Sequence, residues 1–141
     1  MKKKAIRRTA ILFILGLAAT ACTTPPARTT DSQAVVKLGV SEMAPAEARP
    51  AVEAAYSQFI DVRTPEEYAA GHANRTRNIP LDELMENLDL IDKNEPVYLI
   101  CATGRRSMEA AKLLNEAGYP RTVTIAGGTA AWEKAGLPMQ K

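Results

Sequence analysis

Residues 97–107 read Val97-Tyr98-Leu99-Ile100-Cys101-Ala102-Thr103-Gly104-Arg105-Arg106-Ser107. The first four are apolar without a break and follow a turn at Lys93-Asn94-Glu95-Pro96. Such a run predicts a strand buried on both faces, as in a parallel sheet. The stretch then changes character. Cys101 stands at the tip of the strand, Gly104 permits a tight curl, and Ser107 is read as the start of a helix over 107–117. Met108, Ala111, Leu114 and Ala117 recur at helical spacing and predict its inward face, and Gly118 ends it. Strand, loop and helix in that order predict an α/β fold with a parallel sheet.

The flanking sequence repeats the pattern. Residues 57–62 (Ser-Gln-Phe-Ile-Asp-Val) predict a second strand. Thr64, Pro65 and Glu67 then fit the N-cap, first turn and reciprocal capping residue of a helix, which Gly71 closes. Residues 75–79 predict a short strand before Pro80. Leu81, Leu84, Met85 and Leu88 share one face at helical spacing and predict core. Residues 122–125 form the last predicted strand, and a short helix around Trp132, itself predicted core, ends at Gly136-Leu137-Pro138. Alternation of this kind places helices on both faces of the sheet. In such folds a site lies at the carboxyl ends of the strands, where a loop enters a helix.

That rule selects the loop Cys101, Ala102, Thr103, Gly104, Arg105, Arg106 and Ser107. A thiol there faces the positive end of a helix and a ring of inward amides. Arg105 and Arg106 add two cations, so the thiolate is favoured and the Cys101 pKa is expected below the free value of about 8.5. The combination predicts a nucleophile inside an anion-binding cup. Arg105 reads as a solvent-facing substrate guide. Arg106 is open to two roles, facing the anion or pairing with Asp61 to hold the loop. Asp61 and Arg63 read as a structural charge network beneath it. His72 reads as structural, since a low-pKa thiolate needs no base.

The first 21 residues are an address. Lys2, Lys3, Lys4, Arg7 and Arg8 precede an apolar run of twelve residues from Ala10 to Ala21, and no acid is present. That run is shorter than the roughly 20 residues a membrane span needs. A basic start, a short apolar run and small residues before Cys22 predict a signal peptide over 1–21. Ala19-Thr20-Ala21-Cys22 is similar to a bacterial lipobox, with Ala19 where Leu is usual, and Cys22 is read as the lipidation site. The Thr/Pro-rich residues 22–36 read as a tether, and 37–141 as one globular domain. An exported, periplasmic protein held to a membrane by a lipid on Cys22 is expected. The 141 residues carry 18 Lys plus Arg against 16 Asp plus Glu, a net +2. Without the five basic residues of the signal, 13 face 16 and the balance is −3. The basic excess belongs to the export signal, so nothing points to nucleic acid. Two cysteines cannot build a disulfide scaffold or a four-thiolate zinc site, and no metal or cofactor is expected.

Cys101-x-x-Gly104-x-Arg106-Ser107 resembles the active-site loop of the rhodanese (thiosulfate sulfurtransferase) family. Asp61-Val62-Arg63-Thr64-Pro65-Glu66-Glu67-Tyr68 with Gly71-His72, then Asn78-Ile79-Pro80-Leu81, then Gly127-Gly128-Thr129-Ala130-Ala131-Trp132 with Gly136-Leu137-Pro138, are similar to its other signatures in order. The resemblance covers residues 38–139 and departs at Asn74-Arg75-Thr76, where the family mostly has Pro-Gly-Ala. It implies a three-layer α/β fold with a central, mostly parallel five-stranded sheet. It also implies a Cys101 persulfide, loaded from an anionic donor such as thiosulfate and discharged to a thiophilic acceptor, cyanide or a thiol, by a monomer without cofactor. Two other readings compete. One is a lipid-tethered persulfide carrier or protein-docking module without small-molecule turnover. The other is a Cys-dependent phosphatase or arsenate reductase, which needs five residues between Cys and Arg; here there are four.

Overall fold

The computed structural model describes residues 39–141. The expected signal peptide, Cys22 and the tether lie outside the described residues. Among the described residues seven strands are present: β1 (Ser41–Met43), β2 (Gln58–Asp61), β3 (His72–Ala73), β4 (Arg77–Asn78), β5 (Val97–Ile100), β6 (Thr122–Ile125) and β7 (Met139–Gln140). Four α-helices join them: α1 (Pro45–Val52), α2 (Pro65–Ala70), α3 (Arg105–Glu116) and α4 (Gly128–Lys134). Five strands form one sheet in the order β1-β6-β5-β2-β4, and every pairing in it is parallel. β3 and β7 make a separate antiparallel pair.

β5 lies third in the five-strand order, and all four of its residues are buried. Because side chains alternate along a strand, it serves two cores. Val97, Leu99 and Cys101 join Ile60, Ala110, Ala111 and Leu114 on the α3 side. Tyr98 and Ile100 join Phe59, Ile125 and Trp132, with α1 supplying Ala48 and Val52, on the other. Cys101 therefore points toward α3 because it is the next odd position after Leu99. The α/β class and the helices on both faces match the sequence reading.

Two expectations are corrected. Residues 81–88 do not form an amphipathic helix; two 3-10 turns, Leu84–Glu86 and Leu88–Leu90, replace it. A 3-10 turn has three residues, so Leu81 and Leu84 stay on one side while Met85 swings out. Leu84 is fully buried and Met85 is 45% exposed. Secondly, α3 starts at Arg105 with Gly104 as its N-cap, two residues before Ser107. Its buried face is Ser107, Ala110, Ala111, Leu114 and Asn115, and Met108 is half-buried. Gly71 ends α2 as the sequence reading has it, at φ +153.

α2 carries the capping box read from its sequence. Thr64 Oγ1 accepts from the Glu67 N–H, and Glu67 Oε2 accepts from the Thr64 N–H at 3.1 Å. The segment 73–76, where the sequence departs from the family pattern, is a tight turn with Arg75 at φ +68. Thr76 Oγ1 donates to Ala73 O at 2.7 Å and Tyr68 Oη to Thr76 O at 2.5 Å, so side chains hold the shape that a Pro-Gly pair would otherwise favour.

Candidate active site

Cys101 follows the last residue of β5 and is 1% exposed. The chain then turns through Ala102, Thr103 and Gly104 into α3. Gly104 has φ +99, and a Cβ there would stand 3.4 Å from the Gly127 nitrogen, so the loop needs glycine for conformation and has little room besides. The Gly104 N–H donates to Cys101 Sγ at 3.1 Å. Cys101 Sγ and Ser107 Oγ are 3.7 Å apart, and Ser107 Oγ donates to Gly104 O at 2.9 Å. The N–H groups of Ala102, Thr103, Arg105, Arg106 and Ser107 meet no backbone carbonyl. Burial pushes the Cys101 thiol up. The Ser107 amide and hydroxyl and the Thr103 and Gly104 amides outweigh it, and the net shift is downward.

The arginines divide differently from expectation. Arg106 neither faces an open cup nor pairs with Asp61. It makes a two-pronged pair with Glu67 of α2, Nη1 to Oε2 and Nη2 to Oε1, both 2.7 Å. Asp61 cannot be its partner because Arg63 occupies that carboxylate. Arg63 donates Nε to Asp61 Oδ1 and Oδ2 at 3.0 Å and Nη2 to Oδ2 at 2.7 Å, and its main-chain N–H reaches Oδ1 as well. A further Arg63 Nη2 bond to Gly71 O, at 2.8 Å, ties the end of α2 to this buried pair. Asn78 Nδ2 donates to both Asp61 O and Arg63 O at 2.9 Å. Arg105 is exposed at the first position of α3. His72 stacks on Tyr68 with ring centres 3.7 Å apart and donates Nδ1–H to Tyr68 O at 3.0 Å, a packing role. Among the described residues no cluster of His, Cys, Asp and Glu could hold a metal ion.

Two contributors escaped the sequence reading. Glu67 was legible as a capping residue but not as the partner of Arg106, 39 positions away. Thr129, at the start of α4, bonds the Cys101 carbonyl from 28 positions away. The Gly127-Gly128 pair before it was the available signal, since adjacent glycines mark a close backbone approach. A cleft of about 340 Å3 lies between the end of α2, the start of α4 and the C-terminal strand, lined by residues including Arg63, Glu67, Thr129, Glu133 and Gln140, with no residue of the Cys101 loop in its wall.

A buried, amide-held thiol at the carboxyl end of a central parallel strand, entering a helix through Gly104, defines a class. Residues 44–135 match the family model of the rhodanese-like domain, and the chain belongs to that family. A thiosulfate sulfurtransferase, GlpE of Actinobacillus pleuropneumoniae serotype 3, is 31% identical over 100 residues, covering 71% of this chain and 93% of that protein. The uncharacterized protein YqhL of Bacillus subtilis is 40% identical over 76 residues, which span 54% of this chain and 60% of YqhL. The crystal structure of a rhodanese-like domain protein from Staphylococcus aureus is 34% identical, with a TM-score of 0.62 over 72% of this chain and 99% of that one.

Proposed function

We propose that this chain moves a sulfane sulfur through a persulfide on Cys101. The observation that carries the reading is the Cys101 sulfur held by the Gly104 amide at 3.1 Å among loop amides that no carbonyl occupies. Those donors suit a thiolate and, one atom further out, a persulfide anion. The Cys101 thiolate attacks the outer sulfur of thiosulfate. The sulfur–sulfur bond of the donor breaks with its electron pair on sulfite, and a new bond leaves Cys101–S–S−. A cyanide or thiolate acceptor then attacks the outer sulfur, and the electron pair returns to Cys101. Departure of a dianion is assisted by loop amides and by Arg105, whose guanidinium is exposed beside the cup. Arg106, with both prongs on Glu67, is not free to wrap a phosphate, which favours sulfur transfer over phosphatase chemistry.

Intact mass after mixing with thiosulfate tests this reading. The wild type is expected to gain one sulfur atom and release one equivalent of sulfite, and Cys101→Ser to gain none. An adduct persisting in Cys101→Ser overturns the assignment, and turnover of an aryl phosphate revives the phosphatase. Loading without passage to any small thiol converts the reading to a carrier. We further propose export and anchoring through a lipid on Cys22. Membrane fractionation of wild type and Cys22→Ala is expected to separate them; equal solubility overturns the anchor in favour of cleavage after Ala21.

A further inference from the structure

The start of α4 grips the main chain of the nucleophile. The Thr129 N–H donates to Cys101 O at 2.7 Å and Thr129 Oγ1 donates to the same oxygen at 3.1 Å. The Ala130 N–H reaches Ala102 O at 3.3 Å. The approach is so close that a Cβ on Gly128 would lie 2.2 Å from Cys101 O. A trans peptide points its carbonyl and its N–H in opposite directions. Holding Cys101 O toward α4 therefore turns the Ala102 N–H away from α4. Holding Ala102 O does the same for the Thr103 N–H, one of the amides that favours the Cys101 thiolate.

The main-chain donor would be present with almost any residue at position 129, but the hydroxyl would not. At the second position of α4 the Thr129 hydroxyl has no preceding helical turn to bond. It is buried and spends its hydrogen on a carbonyl 28 residues away. We infer that Thr129 is a positioning residue for the Cys101 sulfur, its hydroxyl fixing the Cys101–Ala102 peptide from which the loop runs on to the Gly104 amide that holds the sulfur. The inference rests on Cys101 being the sulfur carrier.

Alkylation of Cys101 by iodoacetamide, read by peptide mass across pH in the full chain, tests it without relying on turnover. In Thr129→Val the midpoint is expected to rise and the rate below it to fall about three- to tenfold, the worth of one hydrogen bond. Thr129→Ser restores the donor and is expected to stay within about twofold of wild type. A valine variant that titrates like wild type, even with a lowered melting temperature, overturns the inference, as does a serine variant as impaired as valine. Failure of the underlying sulfurtransferase reading shows separately, as absence of sulfur loading in the wild type.

Discussion

Arg106 and Glu67 share two hydrogen bonds of 2.7 Å, and through them the Cys101 loop is fastened to the first turn of α2. Glu67 answers to both elements, since its Oε2 also accepts from the Thr64 N–H. One carboxylate thus caps a helix and orients the guanidinium at the second position of α3. The geometry is the paired fork that arginine makes with carboxylates, and a lysine at 106 could not reproduce it.

The pair has a pH signature. Hydrogen bonding to Arg106 holds the Glu67 carboxyl at about 2, against burial and below its ordinary 4.5. A depressed folded-state value stabilises fully above 4.5 and is lost as pH falls through about 2. Melting temperature is expected to drop more steeply over that window in wild type than in Glu67→Gln, which has no carboxylate to protonate. Parallel slopes for the two proteins contradict the prediction. Both partners are partly exposed, so the effect is also expected to weaken in salt.

The Asp61–Arg63 pair is different in kind because both side chains are buried. Asp61→Ala leaves an uncompensated guanidinium inside the fold, a loss of roughly 3–5 kcal/mol by urea unfolding. Exchange of both residues for apolar ones is expected to cost less than that single change.

Two glycines with similar backbone angles separate strain from contact. Gly136 has φ +68 and nothing near its missing Cβ, so Gly136→Ala is expected to cost about 1 kcal/mol. Gly128 has φ +61, and its Cβ would also stand 2.7 Å from the Ala102 carbonyl carbon. Gly128→Ala adds a backbone clash and is expected to cost several-fold more, read as melting temperature, with sulfur loading impaired. Equal losses at the two sites would argue that the α4 contact is loose.

Arg105 offers a test of substrate guidance with no structural cost. Its side chain is exposed and enters no ion pair among the described residues. Arg105→Ala is expected to melt like wild type and to raise KM for thiosulfate about two- to tenfold at low salt, the difference fading as ionic strength rises. An unchanged KM removes Arg105 from the site.

The legible parts of this protein were those encoded locally. The four buried residues of β5, the capping box of α2 and the Cys101–Gly104–Arg106 spacing each occupy a few consecutive positions, where pattern and chemistry coincide. β1 was not singled out because Ser41-Glu42-Met43 is three residues long and has two exposed side chains. β3 and β7 are two residues each and exist only through one another, so no local signal could mark them. The choice of Glu67 over Asp61 as partner of Arg106 was illegible for the same reason. It depends on Arg63 having claimed Asp61 first, a fact of three-dimensional packing.

The common direction of the sheet has a consequence for how the domain presents itself. β1 pairs with β6 from Ser41 opposite Val123, and Val123 sits opposite Tyr98, three positions before Cys101. At about 3.3 Å per residue the chain joins the sheet some 10 Å behind the sulfur and runs toward it. The described chain thus enters at the trailing end of the strands, and Cys101 stands at their leading end.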